Sequence, residues 1–190
     1  VIAADDVLTF VEAFEAAHRN QRVGDAPAGS FSQQDVIQIA EGLSGTILVD
    51  QGELVIVGDL RIEGPGAELL TFDAKGQNRV FRILASVSAR LSGMTITGGS
   101  ADYGGGIHNS GTLIVTNCTL GTNSASYGGG IYSSNTLTLT GSTLAGNSAS
   151  VGGGILSNGT LTLTGSTLTG NSASRGGGIY TYGDSPSATL

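Results

Sequence analysis

The sequence predicts an all-β fold, a parallel β-helix wound in 24-residue coils, and three observations carry that reading. Gly-Gly-Gly-Ile stands four times at a fixed interval, at Gly104–Ile107, Gly128–Ile131, Gly152–Ile155 and Gly176–Ile179, each copy 24 residues after the last. A period of this length marks a solenoid, in which each repeat is one turn and buries its apolar face only against its neighbours. Between the copies apolar and polar residues alternate strictly, as in Thr136-Leu137-Thr138-Leu139-Thr140, which is the pattern of a strand with one buried face. Composition agrees: 32 glycines among 190 residues with only three prolines and no tryptophan do not describe an ordinary packed globule. Normal apolar content and low charge exclude disorder.

Aligning the copies gives each column a role. The alternating strand recurs as Thr112-Leu113-Ile114-Val115-Thr116 and Thr160-Leu161-Thr162-Leu163-Thr164, with leucines inward and threonines outward. Asn117, Gly141 or Gly165 follows, then a short strand carrying an inward Leu120, Leu144 or Leu168. Asn123, Asn147 and Asn171 come next, then Ser-Ala-Ser, the glycine triplet, and a third strand with the inward Ile131 or Ile155. Three short strands per coil with glycine-rich corners are therefore expected. The register extends backwards through Leu91–Ala101 and Phe81-Arg82-Ile83, then through Leu60-Arg61-Ile62 and Leu70-Thr71-Phe72. Asp35–Ile39 and Thr46–Val49 read as the opening strands. At ~4.8 Å per coil, six or seven coils make a rod roughly 30 Å long.

Open solenoid ends are sheet edges that need covers. Thr9-Phe10-Val11-Glu12 has capping-box spacing, and Ala13, Phe14, Ala16 and Ala17 follow; a helix from about Phe10 to Asn20, with Leu8, Val11 and Phe14 on one stripe, should lie on the first coil. Gln21–Gln34, with Gly24, Pro27 and Gly29, reads as a loop. Residues 1–34 thus form a capping segment and residues 35–190 the β-helix. Tyr182-Gly183-Asp184-Ser185-Pro186 adds about five residues at a corner of the last turn. The start at Val1 and the stop at Leu190 read as a piece of a longer protein that continues into further coils.

Charge narrows the function. The net charge is −7, and all but two of the 15 acids, Asp102 and Asp184, lie in the first 80 residues. Acidity of that sign argues against nucleic acid and anionic membrane surfaces as partners. No apolar run approaches the ~18 residues that span a bilayer. Between Asp102 and Arg175 there is no Asp, Glu, Lys or Arg, and a stretch without ionisable groups is a poor place for acid–base, metal or phosphate chemistry. No cofactor or metal site is expected: His18 and His108 are isolated, and the glycine triplets lack the lysine of a phosphate loop. Cys118, the only cysteine, shares a column with Met94, Ser142 and Ser166 and reads as a buried filler.

Gly-Gly-Gly-Ile followed by Leu-x-x-Asn (Leu120 to Asn123, Leu144 to Asn147, Leu168 to Asn171) resembles the repeat of polymorphic outer-membrane proteins, with leucine in place of that family's phenylalanine. Leu8-Thr9-Phe10-Val11-Glu12-Ala13-Phe14 is similar to the CSLREA-type segment that precedes such repeats in bacterial surface proteins, departing at Val11, where that segment has arginine. The resemblances cover nearly the whole chain. They imply a right-handed β-helix in a secreted or surface-displayed bacterial protein, adhesive in role. They carry no catalytic residue, because the shared positions build the coil.

Three surfaces are candidates. His108, Tyr132, Leu156 and Tyr180 follow the inward isoleucine and should point outward, with Tyr103 and Tyr127 at the adjoining corner; stacked, the aromatic residues Tyr103, His108, Tyr127, Tyr132 and Tyr180 offer a contact patch for a glycan or a protein. Thr136, Thr138 and Thr140 beside Thr160, Thr162 and Thr164 form the regular array that ice-binding solenoids exploit, interrupted by Ile114 one coil earlier. Asp59, Arg61 and Glu63 with Arg90 are the candidates for a carbohydrate-active enzyme. Asp59 and Glu63, four residues apart on a strand, stand ~13 Å apart, beyond the ~5–9.5 Å that glycoside hydrolysis uses. A non-catalytic structural or adhesive module is the reading the sequence favours.

Overall fold

The computed structural model describes residues 10–19, 34–183 and 187–189. The chain winds into a parallel solenoid of about six turns, in which every strand pairs in parallel with the equivalent strand one coil on. The first sheet stacks seven strands: Asp35–Gln38, Leu60–Glu63, Ser88–Ser92, Thr112–Thr116, Thr136–Thr140, Thr160–Thr164 and Ser187–Thr189. The second begins at Gly45–Leu48 and runs through Leu70–Asp73, Thr95–Thr97, Thr119–Gly121 and Thr143–Ala145 to Thr167–Thr169. A further six-stranded sheet, which follows the glycine corner, runs from Leu54–Ile56 to Ile179–Thr181.

The coil carries one strand more than the three expected. Ser100–Tyr103, Ser124–Tyr127, Ser148–Val151 and Ser172–Arg175 form a four-stranded sheet between the asparagine column and the glycine triplet. Small Ser-Ala-Ser residues carry little apolar signal, so this strand was hidden from a reading based on hydrophobic alternation.

The inward columns stack as the alternation requires. Leu113, Leu137 and Leu161 are in register, as are Val115, Leu139 and Leu163. Leu120 pairs with Leu144, and Ile107 with Ile131 and Ile131 with Ile155. Leu137, Leu139, Leu144 and Ile131 are all fully buried in one core. Nearer the N-terminus, Phe72 and Phe81 replace aliphatics, with ring centroids 5.2 Å apart. That end is covered by the helix Phe10–Arg19. Phe10 and Phe14 stack at 5.7 Å, and Phe10 meets Phe72 edge-on at 5.0 Å, so the helix plugs the first coils with aromatic rings. The stripe on the core is Phe10, Ala13, Phe14 and Ala17, at helical spacing. The expected stripe ran through Leu8 and Val11, whose side chains lie outside those described, as do the capping Thr9 and most of the predicted loop.

The first two coils are longer than 24 residues, since Asp35 pairs with Leu60 and Leu60 with Ala89. At the other end Thr160 pairs with Ser187, so the last corner holds three extra residues, where the sequence suggested about five. Of these, Asp184–Pro186 lie outside the described residues.

Polar ladders run through the core beside the leucines. Asn123 Nδ2 donates to Asn147 Oδ1 at 3.0 Å and Asn147 Nδ2 to Asn171 Oδ1 at 2.9 Å. A second ladder links the Cys118 and Ser142 N–H groups to the Ser142 and Ser166 hydroxyls, each at 3.2 Å. The Cys118 side chain fills the space between coils, and burial pushes its thiol up to about 11.

One corner departs from the repeat's own rule. Gly98, Gly146 and Gly170 take φ of +64°, +64° and +60°, and in the equivalent place Thr122 takes +52°. The left-handed conformation costs a β-branched residue roughly 1–2 kcal/mol. The exposed Thr122 hydroxyl recovers part of this by lying 2.6 Å from the Thr97 hydroxyl. Thr122→Gly is therefore expected to stabilise the solenoid by about 0.5–1 kcal/mol, read as a higher denaturant midpoint. A lower midpoint would show that the hydroxyl pair outweighs the backbone strain.

Candidate functional site

The glycine triplet shapes the site. Gly128 takes φ +67°, which folds the end of the Ser-Ala-Ser strand sharply back onto the strand that follows. At Gly129 a Cβ would sit 2.5 Å from the Gly153 and Ser148 carbonyl oxygens, so the corner closes only with hydrogen there. The Gly128, Gly129 and Gly130 N–H groups donate to Val151, Gly152 and Gly153 at 2.9, 3.0 and 3.1 Å, carrying the coil-to-coil ladder through the turn. As a result two outward columns flank the corner. One is Tyr103, Tyr127, Val151 and Arg175, in register on the four-stranded sheet. The other is Arg82, His108, Tyr132, Leu156 and Tyr180, in register on the sheet after the corner.

Between them lies an open groove of about 260 Å³ lined by Tyr103, Tyr127, Val151, Leu156, Arg175, Tyr180 and Tyr182. Of the five residues picked out from sequence, Tyr103, Tyr127 and Tyr180 line it. His108 and Tyr132 continue the column of Leu156 and Tyr180 toward the N-terminus and do not line the groove. Tyr132 meets Tyr103 edge-on at 5.1 Å and His108 at 5.0 Å, while Tyr103 and Tyr127 stack face to face at 5.0 Å. Leu156 was expected to point into solvent; at 2% exposure it is buried, and it forms part of the groove's apolar lining. Tyr182, from the lengthened corner, brings its hydroxyl 3.3 Å from that of Tyr132. Burial and this neighbour hold the Tyr132 phenol well above its usual range.

The N-terminal end of the aromatic row is braced by charge. Arg79 Nε donates to the Tyr103 and Gly104 carbonyls at 2.9 and 3.0 Å, and its guanidinium pairs with Glu53, which also faces Arg82 at 3.4 Å. Burial, with Arg79 and Arg82 nearby, pushes the His108 imidazole down to about 4. His108 is therefore a neutral ring in the row at ordinary pH, with Ser110 Oγ 3.3 Å from its Nε2.

The sequence reading missed Val151, Arg175 and Tyr182. The first two lay one and two periods beyond Tyr127 in its column, so extending that column would have found them. Tyr182 carried no signal, because its column holds Ser134 and Asn158 in the two coils before it.

The other candidates are placed as follows. Arg61 pairs with Glu63, and Asp59 Oδ1 accepts the Ser88 N–H at 2.7 Å, so all three have structural partners. Arg90 sits in register with Arg61 one coil on. In the threonine array Thr138 pairs with Thr162 and Thr140 with Thr164, while Ile114 and then Arg90 continue the central column. A longer column stands on the second sheet, where Thr46, Thr71, Thr95, Thr119, Thr143 and Thr167 are in unbroken register.

A parallel solenoid with an aromatic groove on one corner defines a β-helix repeat protein. The chain matches the family model for the right-handed β-helix region over residues 44–190, and it belongs to that family. No curated protein and no solved structure matches it.

Proposed function

We propose that this chain is a non-catalytic structural and adhesive module of a secreted or cell-surface bacterial protein, and that it makes contact through the tyrosine groove. The observation that carries the reading is the groove itself, in which four tyrosines from three coils converge beside an apolar wall. Tyrosine gives large contact area at low entropic cost, and its hydroxyl bonds sugars or backbone. Tyr103, Tyr127 and Tyr182 are about 40% exposed, so the rings are both accessible and held by their neighbours. The resemblance of the coil to polymorphic outer-membrane protein repeats, and of the N-terminal segment to the CSLREA type, supports the surface location.

The test is a glycan array and a surface-binding assay on wild type and on the Tyr127→Ser, Tyr180→Ser double variant, after circular dichroism shows both folded. Wild type should bind, and the variant should lose about tenfold or more in affinity. Equal binding by the folded variant would remove the groove from the reading. No binding by wild type would leave a spacer.

A further inference from the structure

We infer that the groove takes an anionic glycan, one that carries carboxylates, lying along the solenoid axis with a carboxylate on Arg175 and sugar faces against the tyrosine rings. This rests on the groove being the contact surface and goes on to name the class of ligand.

Charge is the first argument. Arg175 is exposed and lines the groove, and among the described residues it has no carboxylate partner. Among the described residues no carboxylate lines the groove. The protein's acids crowd the N-terminal coils, while the coils that build the groove have no Asp, Glu or Lys between Asp102 and Arg175. An anion is therefore repelled by the chain at large but met by a guanidinium in this groove. A planar guanidinium holds a carboxylate through two parallel hydrogen bonds.

The shape of the remaining lining selects a sugar over an acidic peptide. An extended peptide gains affinity mainly from main-chain hydrogen bonds to free backbone groups. Here the carbonyls along that wall are already taken: Tyr127, Val151 and Arg175 accept the Gly104, Gly128 and Gly152 N–H groups at 2.8, 2.9 and 2.8 Å. What the groove offers is ring faces, phenol hydroxyls and one cation. Those match the C–H faces, hydroxyls and carboxylate of an acidic sugar. Tyr127, Val151 and Arg175 follow one another at the coil spacing of ~4.8 Å, so rings and cation contact successive parts of one chain running along the axis.

The experiment measures binding of the full chain by titration calorimetry. Its probes are an oligosaccharide of uronic acid residues, the methyl ester of the same oligosaccharide, a sulfated oligosaccharide and a poly-glutamate peptide. The acid should bind about tenfold tighter than the neutral ester, and the preference should shrink as salt is raised. Arg175→Gln should abolish the preference for acid over ester, and Tyr127→Ser should weaken acid and ester alike while keeping that preference. Equal affinity for acid and ester, or a preference that survives Arg175→Gln, overturns the assignment of the anion and leaves a neutral-glycan groove standing. Preference for the sulfated sugar or for poly-glutamate also overturns it and names the occupant instead. Failure of every probe to bind overturns the anionic glycan, whereas acid and ester binding that Tyr127→Ser leaves untouched overturns the groove as the contact surface.

Discussion

Leu139→Asp should unfold the C-terminal coils, while Thr138→Asp, one residue away on the same strand, should leave the solenoid folded. Leu139 is fully buried between Val115 and Leu163 of the neighbouring coils, whereas Thr138 faces outward beside Ile114 and Thr162. Removing the leucine gives up about 1.5–3 kcal/mol of burial. An unpaired carboxylate in its place adds several kcal/mol more. The sum approaches the about 5–15 kcal/mol that holds a domain together. In a stack where each coil contacts only its neighbours, both interfaces of that coil are lost at once. The outward change risks only strand propensity, a scale that spans about 1 kcal/mol. Thermal melts followed by circular dichroism separate the two. Equal loss from both variants would refute the inward and outward assignment.

The same alternation explains why so much of the fold was legible beforehand. Where side chains were large and apolar on every second residue, as at Leu137 and Leu139, strand, face and register all followed from the pattern and the 24-residue period. The strand Ser124–Tyr127 was invisible, because Ala125 and the serines around it bury too little to mark a face. Insertions blurred the register in the first two coils and at the last corner, where the period no longer locates a residue. The site was half legible for a related reason. Tyr103, Tyr127 and Tyr180 were found as members of columns, but which columns face each other depends on how sharply the glycine corner folds. That is a property of the Gly128 backbone, not of any side chain. Leu156 was misplaced for the same reason: counted along its strand it points out, yet at the corner it is buried.

Asn147→Leu is expected to cost about 3–5 kcal/mol although it exchanges a polar core residue for an apolar one of similar size. Asn147 Oδ1 accepts both the backbone N–H and the side-chain Nδ2 of Asn123, each at 3.0 Å. Its Nδ2 donates to the Leu120 carbonyl and to Asn171 Oδ1, each at 2.9 Å. Leucine makes none of these bonds, so four hydrogen bonds are lost at once; Asn123 Nδ2 keeps the Ile96 carbonyl and Asn171 Oδ1 keeps the backbone N–H of residue 147, but the Asn123 N–H loses its acceptor. A buried group left unsatisfied costs about 1–3 kcal/mol, and Asn123 lies too deep for water to reach it. The extra apolar burial offsets only part of the loss. Asn171 provides the internal comparison. Its Oδ1 accepts the Asn147 N–H and Nδ2 and its Nδ2 donates to the Leu144 carbonyl, but it is only partly buried, so water can replace what Asn171→Leu removes. Denaturant unfolding should therefore rank Asn147→Leu well below Asn171→Leu in stability, with Asn171→Leu within about 1–2 kcal/mol of wild type. Asn147→Asp should fall on the destabilised side as well. It keeps an acceptor for Asn123 but sets a second acceptor against the Leu120 carbonyl and Asn171 Oδ1. If Asn147→Leu matched wild type, the ladder would be a packing column whose amides contribute nothing net.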